Sequence, residues 1–132
     1  EINEKSKKVI AELHLEEVSN HLVGSLPLGW KQKLAFSVSL LHEPKIVFLD
    51  EPTGGVDPIT RRQFWELIYA EADKGTTIFV TTHYMDEAEY CNRVSIMVEG
   101  SIEALDTPKN LKEQFGVDSM NAVFLKLARN IE

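Results

Sequence analysis

The sequence predicts an α/β fold built on a parallel sheet, and three observations carry that expectation. Helix-like and strand-like segments alternate in the order helix, strand, helix, strand, helix, strand. Two short runs, KIVFL at 45–49 and TTIFVTT at 76–82, are apolar or β-branched and bounded by turn residues, as strands are. Each run stops at polar residues: Asp50 and Glu51 after the first, His83 after the second. In parallel sheets ligands bind outside the carboxyl ends of the strands.

Residues 3–15 form a helix whose narrow apolar face is Val9, Ile10, Ala11 and Leu13 among Glu and Lys. Gly24 and Pro27 punctuate a mixed stretch at 16–27. A second helix fits 29–42, with Trp30, Leu34, Val38 and Leu41 as its inward stripe and Pro44 as its stop. The run 45–49 is continuous enough to be a strand buried on both faces. Asp57-Pro58 opens a helix with an N-cap and Pro at its first position. That helix turns Phe64, Leu67 and Ile68 inward and ends at Gly75. Residues 76–82 form the next strand, and 85–91 a short acidic helix. Segments 93–98 and 101–105 make a hairpin around Glu99-Gly100. Helices over 107–115 and 119–129 each begin at a hydroxyl residue.

A chain of 132 residues fits one domain. Its net charge of −7 argues against a nucleic-acid or polybasic membrane surface. Cys91 is the single cysteine, so there is no internal disulfide and no cysteine metal spacing, and its place after a helix suggests core. No run approaches a membrane span and the charged start lacks a signal-peptide core, so a reducing cytosolic location is the default. His14, His21 and His42 have no ligand-like spacing.

Two adjacent carboxylates at the end of a buried strand repel each other and lose hydration. A cation or a reacting water explains them, and so does a turn or capping role. Asp50 can hold Mg²⁺, Glu51 can polarise a water for in-line attack on a phosphoryl group, and His83 can hydrogen-bond a terminal phosphate oxygen. The plainer readings make His83 a satisfied polar residue, Asp57 an N-cap, and Asp86, Glu87 and Glu89 a solvated helix face.

The order and spacing of three segments resemble the later half of the nucleotide-binding domain of ATP-binding cassette (ABC) transporters. KIVFLDEPTGGVDP resembles that family's Walker B strand, catalytic Glu and D-loop. TTIFVTTHYMDEAE resembles the switch-histidine strand and the helix after it, and LPLGWKQKLAFSVSLLHEPK the signature loop and helix. The likeness runs from about Gly24 to Pro108, and LPLGWKQ, GVDP and DEAEYC look most like drug- or ABC-2-type export ATPases. The resemblance implies a partial P-loop NTPase (RecA-like) parallel sheet flanked by helices. It divides the chain into a remnant of the helical subdomain at 1–28, the C-terminal half of the ATPase core at 29–106, and a helical tail at 107–132. It further implies Asp50 as the Mg²⁺ carboxylate, Glu51 as general base and His83 as switch histidine. Nucleotide contacts fall to Leu26, Pro27, Leu28, Gly29, Trp30, Lys31 and Gln32 in the signature and to Gly54, Gly55 and Asp57 in the D-loop. ATP and Mg²⁺ are the implied cofactors. A second nucleotide-binding domain and a membrane permease are the implied partners, at the cytoplasmic face of the membrane, with no nucleic acid.

The chain also departs from the family pattern. The signature usually reads Leu-Ser-Gly-Gly-Gln, where this chain has Leu26, Pro27, Leu28, Gly29 and Trp30. Pro27 lacks both hydroxyl and backbone N–H, Leu28 adds bulk, and Gly54 replaces the usual D-loop Ser. A similar Leu-Pro-Leu-Gly version does occur in some export-type members. No G-x-x-x-x-G-K-[ST] occurs in the 132 residues, so the phosphate cradle, its lysine and the Walker A strand are expected to be missing. The expectation is therefore a C-terminal fragment, inactive alone, of a parent ATPase that drives export. A non-hydrolysing regulatory module and a soluble ribosome-associated ABC ATPase are the alternatives. Strands 46–50 and 77–81 are expected to pair in parallel, with apolar faces left open to association.

Overall fold

A computed structural model describes residues 2–129. The chain divides into two compact units, the first ending at Thr81 and the second beginning at Thr82.

The first unit comprises helix α1 (Ile2–Glu12), two 3-10 turns (Glu16–Val18 and Val23–Ser25), helix α2 (Leu28–Leu40), strand β1 (Ile46–Asp50), helix α3 (Pro58–Asp73) and strand β2 (Thr77–Thr81). As expected, β1 and β2 pair in parallel, in register from Ile46 opposite Thr77 to Asp50 opposite Thr81. Helix α3 starts where its sequence says it should. The Asp57 carboxylate accepts from the Ile59 and Thr60 amides, both at 3.0 Å, and Pro58 occupies the first helical position. Phe64, Trp65 and Ile68 form its buried face, and the Phe36 and Phe64 rings meet at 5.4 Å between α2 and α3. Gly75 takes φ +99° after the helix, a conformation that costs glycine little.

Some burial expectations fail here. Strand β1 is not buried on both faces: Val47 is buried, while Phe48 is 75% exposed and Ile46 is also exposed. A two-stranded sheet with α-helical cover on one side leaves its alternate residues in water. In α2 the buried residues are Phe36 and Ser37, whereas Val38 and Leu41 of the expected stripe are exposed. The helix is apolar on more than one side, and α3 meets the Phe36 side. Trp65 replaces Leu67 as a fully buried residue of α3, with Leu67 only half-buried.

The second unit holds a 3-10 turn (Glu87–Tyr90), strands β3 (Val94–Val98) and β4 (Ser101–Asp106), and helices α4 (Pro108–Phe115) and α5 (Met120–Arg129). The β3–β4 hairpin is antiparallel. Glu99 and Gly100, at φ 49° and 82°, make the two-residue turn that matches strand twist. Thr107 caps α4 by accepting from the Asn110 amide at 3.1 Å, and Ser119 Oγ accepts from the Ala122 amide at 3.2 Å, as the two hydroxyl starts predicted. Ala88, Ile96, Leu111, Met120, Val123 and Leu127 form the core of this unit. The expected acidic helix at 85–91 is one 3-10 turn. Nor is its acidic face wholly solvated: Glu87 is 0% exposed. Cys91 is half-buried, and desolvation, then the Glu87 charge, pushes its thiol above the ordinary range.

Candidate functional site

The carboxyl ends of β1 and β2 build the first part of the site. Register sets Asp50 opposite Thr81. The Thr81 hydroxyl donates to Asp50 Oδ1 at 2.5 Å and accepts from the Glu51 amide at 3.1 Å; the same amide also donates to the Thr81 carbonyl at 3.1 Å. One hydroxyl thus ties together the backbone and side chain of adjacent carboxylate residues. Glu51 has φ +44°, in the left-handed region that a non-glycine residue rarely adopts. The extended backbone of β1 ends at Asp50, and the chain turns at Glu51. Such strain concentrates at functional sites. Asp50 and Glu51 are both exposed. Thr81 was not singled out by sequence reasoning, although a hydroxyl at the end of the neighbouring strand was the available signal.

The second part is a cleft of about 260 Å³ where α2 begins beside α3. It brings together residues from two motifs more than twenty positions apart: Pro27, Leu28, Gly29 and Trp30 from one, Gly55 and Asp57 from the other. Gln32 Nε2 donates to the Gly54 carbonyl at 3.2 Å and joins the two motifs directly. The Pro27 carbonyl accepts from the Trp30 and Lys31 amides, both at 3.1 Å, and so starts the helix without a side-chain cap. Leu26 is buried and Lys31 half-buried. Hydrogen bonds hold the exposed Asp57 carboxyl below its ordinary range, the Thr60 hydroxyl first and then the Thr60 and Ile59 amides. Lys33, which the motif reading passed over, also lines the cleft. Its Nζ donates to Gln63 Oε1 at 2.6 Å and lies 5.5 Å from the Trp30 ring centroid. Burial lowers its pKa against the opposing pull of Asp57 and Glu66.

His83 lies in the second unit, two residues after β2. It is exposed, with its ring 4.2 Å from that of Tyr84.

A divalent cation fits one of these places. The Asp50 carboxylate is exposed and takes one proton donor, and a carboxylate has further lone pairs for a hard cation. Among the described residues no group of three or more His, Cys, Asp or Glu gathers for a metal. Mg²⁺ takes one or two carboxylates and completes its shell with water and substrate phosphate.

Comparison with known proteins gives the class and then the family. A family model described as "AAA domain, putative AbiEii toxin, Type IV TA system" matches residues 12–85, more than half of the chain. The chain is 47% identical over 130 residues to "Probable multidrug ABC transporter ATP-binding protein YbhF" of Escherichia coli (strain K12), covering 95% of this chain and 22% of that protein. It is 39% identical over 116 residues to "Phospholipid-transporting ATPase ABCA3" of Mus musculus, covering 87% of this chain and 7% of that one. The fold matches the structure titled "cbiO1 from clostridium perfringens: Part of the ABC transporter complex cbiONQ" with TM-score 0.74 and 30% identity, over 87% of this chain and 45% of the other. The chain belongs to this AAA domain family, and proteins named as ABC transporter ATP-binding proteins are among its homologues. Its fold is that of the P-loop NTPases. It spans less than a quarter of the length of the curated relatives it matches.

Proposed function

We propose that this chain supplies the carboxylate and switch elements of a nucleotide-binding domain that hydrolyses ATP to drive export through a membrane permease. The observation that carries this reading is the Asp50–Thr81–Glu51 corner, where one hydroxyl orders two exposed carboxylate residues and Glu51 adopts a left-handed backbone. Asp50 holds Mg²⁺, which when bound neutralises charge on the phosphate oxygens. Glu51 orients a water and takes its proton as the water oxygen bonds to the terminal phosphorus and the bond to the leaving ADP breaks. His83 donates a hydrogen bond to the terminal phosphate. Leu26 to Gln32, with Gly54, Gly55 and Asp57, serve a nucleotide shared with a second nucleotide-binding domain, and the shared cleft at Gly29 and Gly55 supports that pairing. In this scheme residues 1–28, 29–106 and 107–132 are helical-subdomain remnant, ATPase core and tail. Relatives named as multidrug and phospholipid transporters support a membrane partner at the cytoplasmic face. Among the described residues no helix is long and apolar enough to cross a membrane. The 132 residues alone bind Mg-ATP weakly and do not turn it over, since the backbone cradle and its lysine carry most phosphate affinity.

The test uses the full protein that contains this chain and a phosphate loop. Glu51→Gln is expected to cut ATP turnover by roughly 10²–10⁴-fold with ATP affinity nearly unchanged, because the amide keeps size and loses basicity. His83→Ala is expected to slow turnover as well. Wild-type rates in both variants would remove these roles. A second reading, a non-hydrolysing module, is favoured by Pro27, which has no N–H to offer a phosphate. Nucleotide binding without phosphate release by the wild-type protein would establish it instead.

A further inference from the structure

We infer that Glu87 is a positioning residue for His83, acting through Thr82. This rests on the reading of His83 as the group that meets the terminal phosphate.

The Glu87 side chain is fully buried, unusual for a carboxylate and permitted only where hydrogen bonds meet it. Its Oε2 accepts from the Thr82 hydroxyl at 2.6 Å. The same hydroxyl accepts from the Tyr84 amide at 3.0 Å. The two residues flanking His83 are therefore tied to one oxygen, and a buried acceptor fixes the rotamer of that oxygen. Glu87 closes the segment a second time through its backbone, since its amide donates to the Tyr84 carbonyl at 3.0 Å. A hydroxyl that must donate to a carboxylate presents its lone pairs to an amide in one orientation. Glu87 thus dictates which way Thr82 receives Tyr84, and with it the backbone that carries the exposed imidazole. A buried residue beyond reach of solvent can set the aim of an exposed one, much as outer hydrogen bonds orient the ligands of a metal.

The experiment measures ATP turnover and ATP affinity in the full protein that contains this chain. Glu87→Leu keeps the burial and removes the acceptor; Thr82→Val keeps the shape and removes the hydroxyl. Each is expected to lower kcat about tenfold with KM for ATP within about twofold, the pattern of a misplaced group rather than lost binding. Glu87→Gln retains an acceptor oxygen and is expected to recover most of the rate lost in Glu87→Leu. Combined with His83→Ala, Glu87→Leu is expected to add no further loss, because both act on one group. If His83→Ala alone leaves kcat at the wild-type value, the role of His83 fails first and this inference falls with it. If His83→Ala is slow but Glu87→Leu and Thr82→Val are not, or if their losses multiply with that of His83→Ala, the inference alone is overturned. Loss of fold in both Glu87→Leu and Thr82→Val, read from circular dichroism, would make the pair a structural buttress and also overturn it.

Discussion

Gly29 and Thr60 lie so close that a Cβ added to Gly29 would overlap the Thr60 Cγ2 methyl. Thr60 cannot simply rotate that methyl away, because its hydroxyl donates to Asp57 Oδ2 at 2.5 Å. A glycine of the signature-like segment thus lets the start of α2 approach the start of α3.

Gly29→Ala is therefore expected to lower stability by about 1–3 kcal/mol through overpacking, less a gain of about 0.4–1 kcal/mol from a stiffer unfolded chain. Adding Thr60→Ser removes the methyl and keeps the hydroxyl, so the double variant should return to near wild-type stability. Urea midpoints decide it. A double variant no more stable than Gly29→Ala would show that the overlap is not the cause.

Glu89 joins three elements of the second unit. Its carboxylate accepts from the Met120 amide at 2.9 Å, at the start of α5, and from Lys112 Nζ of α4 at 2.6 Å. Desolvation works to raise its pKa, but the Lys112 and Met120 hydrogen bonds and the Lys112 charge together hold it below the ordinary 4.5. A carboxyl depressed on folding stabilises fully above its unfolded value and loses that contribution as pH falls through the folded value. Glu89→Ala should cost about 1–2 kcal/mol at pH 7. Its thermal midpoint should also fall less steeply than that of the wild type below about pH 4.5. Parallel acid limbs in the two proteins would count against the assignment.

The open face of β1 and β2 carries Phe48 and Phe79, 75% and 56% exposed, with ring centroids 5.8 Å apart. Contiguous exposed aromatics drive association. The 132-residue chain is expected to self-associate at micromolar concentration, and Phe48→Lys with Phe79→Thr to shift it toward monomer. Size exclusion with light scattering reads the mass directly. A monomeric wild-type chain would contradict the expectation.

Much of this molecule is local and so legible in order along the chain. Asp57-Pro58, Thr107 and Ser119 act as caps because a side chain two or three residues from an amide needs no distant help. Glu99-Gly100 turns the hairpin because both positions tolerate positive φ in that turn. The expected solvated acidic face at 85–91 failed for the complementary reason: Glu87 turns inward to Thr82, and local patterning cannot foresee a buried acceptor.

By itself the sequence determined the alternation of elements, the parallel pairing of 46–50 with 77–81, and the place of Asp50, Glu51 and His83 just past strand ends. The alternation and the strand ends arise from short-range patterning, whereas the parallel pairing was what the family resemblance implied. Only the tertiary structure decided that Thr81 ties Asp50 to Glu51, that Gln32 reaches Gly54, and that Gly29 meets Thr60. Tertiary structure also decided which face of β1 stays dry, Val47 buried and Phe48 in water. Each of these depends on which surface packs against which. Apolar residues are equally apolar on either face of a strand, so burial is settled by what covers them.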